Sequence, residues 1–158
     1  VLMLGMASGL GSSCAFEVNG TCYTAPFYPT PLTFAECKAQ KSNLGIKECS
    51  YEQDYWAGAV KQCGGVSKMP TMAQLAELAS QMYVGNPTIG AKQDKYDIQY
   101  DPNSSVSKSL GLTPYFYLWS GEEYSSIDAY SRSFYTTHSY WNYNGRINYG
   151  FQAVCLGE

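Results

Sequence analysis

Six cysteines constrain this 158-residue chain more than any other feature, because each pair they form fixes two distant backbone points at once. They are Cys14, Cys22, Cys37, Cys49, Cys63 and Cys155, an even number with no C-x-x-C pair, in a chain with one histidine. Zinc sites usually draw on close cysteine pairs or clustered histidines, so a disulfide framework formed in an oxidising compartment is the better reading. Six cysteines admit about 15 connectivities, and sequence alone does not choose among them. The favoured expectation is local pairing of Cys14 with Cys22 and Cys37 with Cys49, then Cys63 with Cys155. The last bridge would tie an early helix to the final strand and contribute about 4 kcal/mol in the chain-entropy model.

Between the cysteines, local signals divide the chain into a helical first half and a β-rich last third. Residues 16–23 read as a hairpin, with Asn19-Gly20 supplying the positive φ angles of a type I′ turn. Asn19-Gly20-Thr21 also matches a glycosylation acceptor. Capping boxes announce three helices: Thr33 with Glu36, Ser50 with Gln53, and Thr71 with Gln74 behind Pro70. The second should end at Gly64, and the third places Met72, Leu75, Leu78, Ala79 and Met82 on one face as core packing. Residues 85–108 lack a convincing period and read as a long surface excursion with a short helix near residues 106–110. Beyond Pro114 the expected strands are residues 115–119, 129–134 and 151–156, with a turn-rich stretch at 142–145. Trp119, Phe134, Trp141, Ala153 and Val154 are the expected core of this part.

The class is therefore α+β: early helices packed on a small antiparallel sheet formed mainly by the C-terminal third. We expect residues 1–50 to form a disulfide-rich extension and residues 51–158 the main domain. A net charge of −3 and a pI near 5.1 argue against nucleic acid, which wants a basic face. The apolar run over residues 1–6 is too short to span a membrane. It suits the tail of a removed leader or the top of an upstream membrane or pilus anchor.

One stretch has an unusual composition. Residues 124–151 contain no Lys, Glu, Gln or Met, although eight Lys, eight Glu, eight Gln and five Met occur elsewhere. At that frequency an empty window of this length has a chance of roughly one in a thousand. Six Tyr, five Ser, three Asn, paired Thr and Gly and His138 fill it instead. Tyrosine gives rigid amphipathic contact area at low entropic cost, and Ser, Gly and Asn give adaptable hydrogen bonds. A plain aromatic sheet would also disfavour Lys and Glu, but it does not account for the missing Gln and Met.

Three segments carry a resemblance. Met69-Pro70-Thr71-Met72-Ala73-Gln74-Leu75 is similar to the helix entry of C-type-lectin-like domains of the formylglycine-generating-enzyme type. Trp119-Ser120-Gly121-Glu122-Glu123-Tyr124-Ser125-Ser126 and the ending Phe151-Gln152-Ala153-Val154-Cys155 resemble bacterial surface proteins built on that fold. The filling between them resembles the variable region of proteins diversified by bacterial and phage retroelements, and the likeness covers roughly residues 51–158. The resemblance implies a C-type-lectin-like fold, secreted or displayed at a bacterial or phage surface, with a hypervariable adhesin-like face. It also implies that adenine randomisation of AAC or AAT codons emptied the window, since a pyrimidine third base cannot encode Lys, Glu, Gln, Met or Trp. Trp141 is then a fixed core residue.

Enzyme readings fare worse. His138 has no orienting carboxylate nearby in sequence, and the cysteines that the formylglycine-generating enzymes use have no counterpart between Cys63 and Cys155. Glu122 and Glu123 are adjacent, so a strand points them to opposite faces; one is expected to bond backbone amides of a neighbouring loop. Calcium needs several convergent oxygens, and the lectin calcium loops are absent. No metal or cofactor is expected. The candidate ligand-binding positions are Tyr124, Ser126, Asp128, Tyr130, Arg132, Tyr135, Thr137, His138, Tyr140, Asn142, Tyr143, Asn144, Asn148 and Tyr149. Strand alternation puts Tyr130 and Arg132 on one side with Phe134, and leaves open whether that side meets the core or the ligand. The partner is an unidentified protein or glycan. Alternative readings are a pilin-like surface-assembly subunit and a metal-free carbohydrate-binding module.

Overall fold

A computed structural model describes residues 14–157; the apolar run at residues 1–6 lies outside the described residues. Strands β1 (Phe16–Val18) and β2 (Thr21–Tyr23) form the expected hairpin, with Asn19 at φ 49° and Gly20 at φ 84° as a type I′ turn requires. The chain then runs antiparallel to its own C-terminal segment, through Tyr23 opposite Leu156 and Phe27 opposite Ala153. Gln152 pairs in parallel with Leu118, so residues 152–156 lie between the N-terminal run and the main sheet.

Helix α1 (Phe34–Leu44) starts with the expected capping box, Thr33 and Glu36 exchanging side-chain and backbone bonds. Helix α2 (Tyr55–Cys63) starts four residues later than the Ser50–Gln53 box predicts. Leu32 pairs with Asp54 in a backbone bridge that keeps the chain extended there, and Asp54 then serves as N-cap, accepting from Ala57 N at 2.9 Å. Gly58 is required in α2 because Thr30 crosses so close that a Cβ would collide with its carbonyl oxygen. Gly64 ends the helix in the left-handed conformation, as expected. After a 3₁₀ turn (Val66–Lys68), helix α3 (Met72–Ser80) has its predicted Thr71–Gln74 box, and all five predicted face residues are buried. A short helix α4 (Ser105–Leu110) closes the excursion.

The main sheet is antiparallel, with β3 (Phe116–Glu123), β4 (Asp128–Phe134) and β5 (Ser139–Gly145) in chain order. Strand β5 occupies the stretch expected to turn, and the turn falls just after it at residues 146–148. Strand pairing wins there because every residue of β4 has a partner in β5, from Asp128 opposite Gly145 to Phe134 opposite Ser139. Phe116, Leu118 and Phe134 face α3 and the β1–β2 hairpin in one core. Trp119 and Ala129 face α2, Ala153 and the Cys63–Cys155 bridge in a second. Because Phe16, Val18 and Tyr23 join the first core and Cys37 and Leu44 the second, residues 14–50 pack into the same body as the rest of the described chain.

All three disulfides pair as expected: Cys14–Cys22, Cys37–Cys49 and Cys63–Cys155. They fit an oxidising compartment. Among the described residues no helix is long and apolar enough to cross a membrane.

Candidate functional site

The window is anchored from beneath by its two arginines, both fully buried. Arg146, just past β5, donates from Nη2 to Asp54 Oδ2 at 2.8 Å and from Nη1 to Glu123 Oε2 at 3.1 Å. The same two nitrogens reach the carbonyls of Glu48 (3.0 Å) and Ser125 (2.7 Å), and the guanidinium stacks over Trp56. Glu123 in turn accepts from the backbone amides of Lys47 and Glu48 at 2.8 and 2.9 Å. Glu122 accepts from Met72 N at 2.8 Å, placing its charge at the positive end of α3. Both carboxylates thus bond backbone amides of other segments, each in a different direction, as strand alternation demands.

Arg132 is the clearest correction to the expected binding face. Its Nη2 donates to the carbonyls of Gly90, Ala91 and Gln93 within 3.2 Å, and its Nη1 to Ser139 Oγ at 3.0 Å. Burial pushes its guanidinium down to about 10, still charged at neutral pH. Arg132 therefore holds the excursion against the sheet instead of meeting a ligand. Lys95 exchanges two backbone bonds with Ser139, Asp94 Oδ1 accepts from Trp141 N, and Ile98 and Tyr100 bond the carbonyls of Thr137 and Thr136. The excursion is consequently a docked flap that brings Lys92 and Tyr96 to the aromatic surface.

The pleat divides the expected single face in two. On the α3 side, beyond the core, Tyr124 stacks on Tyr143 at 4.1 Å, Tyr130 packs edge-on to both, and Trp141 lies tilted beside Tyr130. Lys92 sits 4.2 Å over the Tyr130 ring. Trp141 is half-buried against the core margin, less enclosed than the core role expected of it. On the opposite side lie Tyr140, Asn142 and Asn144, over a floor of fully buried Ser131 and Ser133. Here His138 stacks on Tyr135 (4.6 Å) and lies tilted beside Tyr140 (4.7 Å), Tyr96 meets Tyr140 edge-on, and Tyr115 stacks on Tyr135 at 5.0 Å. The Tyr83 hydroxyl lies under this turn, 2.6 Å from the Tyr135 carbonyl, and fixes it.

This second side opens into a cleft of about 440 Å³. One wall is a ring stack in which Phe151 lies between Tyr117 (4.3 Å) and Tyr149 (5.1 Å), separating the cleft from buried Trp119. Tyr115, Tyr135 and Tyr28 form the remainder, with the amides of Asn144 and Gln152 among them. The Tyr117 and Tyr135 hydroxyls bond each other at 3.0 Å. No lining residue carries a charge.

Of the expected positions, Tyr135, Asn144 and Tyr149 line the cleft, while Tyr140, Asn142 and His138 border it on the same side. Tyr124, Tyr130 and Tyr143 form the other patch. Ser126 and Asp128 sit at the β3–β4 turn, and Thr137 and Asn148 at exposed turns. The nearest hydrogen-bonding neighbour of His138 Nδ1 is Thr137 Oγ1 at 3.0 Å, which offers stacking and hydrogen bonding but not the base–carboxylate pair of a triad. Among the described residues no group of three His, Cys, Asp or Glu converges as a metal site. Sequence reasoning missed Tyr28, Tyr115, Tyr117, Tyr96 and Lys92. Only the alternation of Tyr115 and Tyr117 with Phe116 and Leu118 offered a signal. No protein-family model, curated protein or solved structure matches the chain.

Proposed function

We propose that this chain is a secreted or surface-displayed ligand-binding protein that recognises its partner through the tyrosine-rich surface of β3, β4, β5 and their turns. The finer reading is a C-type-lectin-like domain whose residues 124–151 are a region diversified by a retroelement. One observation carries it: within the window, the side chains that meet solvent are mostly Tyr, Asn, Ser, Thr and His, with Ile127 the most exposed apolar exception. The two arginines and most of the serines and alanine in β4 are interior. Contact chemistry and fold maintenance thus fall on different residues of the same segment, which lets recognition vary without unfolding the sheet. Binding would draw its energy from a few aromatic anchors with amide and hydroxyl partners around them. The surface suits binding: its hydroxyl–imidazole pair, Thr137 Oγ1 and His138 Nδ1 at 3.0 Å, is exposed and has no carboxylate orienting the ring.

The test is to replace Tyr140, Asn142, Tyr143 and Asn148 together with Ser. The variant should keep a cooperative thermal transition within a few degrees of the parent and lose a ligand selected from host-cell surface extracts. A collapsed transition with unchanged binding would refute the division of labour. In the gene, pyrimidine-ending codons at Ser126 and Thr137 and a neighbouring reverse transcriptase are expected. Purine-ending codons there would remove the diversification reading while leaving ligand binding intact.

A further inference from the structure

We infer that the cleft between Tyr28 and the β3 ring stack holds an uncharged sugar residue of an oligosaccharide, without a metal ion; the inference rests on the ligand-binding reading above and assigns its chemistry. Three features point that way. First, the cleft offers ring faces to solvent: Tyr28 is 73% exposed, Tyr115 66% and Tyr149 47%. Such faces suit the flat C–H side of a pyranose, and the stacking of Tyr149 on Phe151 holds the platform still. Second, the polar groups are amides and phenols. Ser131 Oγ lies 2.7 Å from Asn144 Oδ1, so this bond occupies the amide oxygen and leaves the nitrogen's hydrogens available. Gln152 brings a second amide, and the Tyr117–Tyr135 hydroxyl pair can still both donate and accept. Donors and acceptors side by side match vicinal hydroxyls.

Third, with no charged group in the lining, neither a carboxylate, a phosphate nor an ammonium on the ligand would find a partner there. An extended peptide is the competing neutral ligand, since aromatic grooves also take proline-rich segments. Peptides that add to a sheet need a row of free backbone groups. Here the outward-facing backbone of β5 at Ser139 is already engaged by Lys95, and the cleft polar groups are side chains. The volume of about 440 Å³ lies within the range of small-ligand sites. The constant half of the cleft, Tyr28, Tyr115 and Tyr117, lies outside the window, so the window residues Asn144 and Tyr149 would tune which sugar is preferred.

The test uses the full chain on an array of neutral tetrasaccharides (gluco-, galacto-, manno- and N-acetylglucosamine-configured) in excess EDTA, with a proline-rich decapeptide as the competing probe. Calorimetric titration with the best-bound sugar then follows. We expect EDTA- and salt-insensitive binding that weakens at least about tenfold in Tyr149→Ala and in Gln152→Ala, and is unchanged in Glu77→Ala, an exposed position on α3 away from the sheet surface. Melting curves of all three should overlay the parent. Binding of the decapeptide alone, or sugar binding that Tyr149→Ala and Gln152→Ala leave intact, overturns the inference. A silent array overturns it too. If a selected protein ligand then still depends on Tyr140 and Asn142, the binding-face reading survives; if that ligand is indifferent to them, both fail.

Discussion

Replacing Arg146 with Met would separate the scaffold from the surface within a single segment. Met matches much of the aliphatic volume but leaves Asp54, fully buried, and Glu123, nearly so, without their shared cation. The carbonyls of Glu48 and Ser125 lose their donor as well. Asp54 keeps its bond from Ala57 N, and Glu123 keeps those from Lys47 and Glu48, so each anion retains neutral partners. Removing one member of a buried ion pair costs about 3–5 kcal/mol, because the remaining charge stays desolvated. For a chain of this size that is a fall in Tm of roughly 6–20 °C. The assay is urea denaturation with calorimetry, disulfides intact. Glu123→Gln in the Arg146→Met background should cost less than in the parent, by about 0.5–3 kcal/mol of coupling. Thr137→Met, an exposed window position, should change stability by no more than about 0.5 kcal/mol. A cost below about 1 kcal/mol for Arg146→Met would show that the network is not what fixes the window, and the scaffold argument would fall with it.

Trp119→Ala empties a fully buried site against Phe151 and should cost about 3–5 kcal/mol in the same denaturation assay; a parent-like midpoint would remove Trp119 from the core. Serines at both Cys63 and Cys155 should cost about 4 kcal/mol by the loop-entropy relation, with a mobility shift on reduction lost in parallel; an unchanged midpoint would mean the bridge adds nothing. Burial raises the phenols of Tyr23, Tyr83 and Tyr117 above their ordinary value, so the folded chain holds those protons longer than the unfolded chain does. Their contribution is intact below pH about 10 and is lost as pH rises toward their folded values. An absorbance titration of tyrosinate should therefore show a late set released together with unfolding, and a single uniform step would contradict their burial.

What could be read from the chain alone was whatever closes over a few residues. The Asn19-Gly20 turn, the Thr33–Glu36 and Thr71–Gln74 boxes and the Gly64 stop each depend on contacts within about one helical turn, so residue type and spacing suffice. The Ser50–Gln53 box failed because a partner 22 residues upstream, Leu32, holds Asp54 in a bridge that no local pattern records. Composition likewise marked residues 124–151 as unusual but could not say which of their side chains meet water. Arg132 and Arg146 look like surface cations in any sequence. They are interior because carbonyls at residues 90–93 and acids at 54 and 123 converge on them from three other segments. The split of the tyrosines into two sides, and the cleft that joins Tyr28 to Tyr149, arise from strand pairing and chain crossing over separations of tens of residues. Burial is a property of the whole packed body, and only the tertiary structure distributes it.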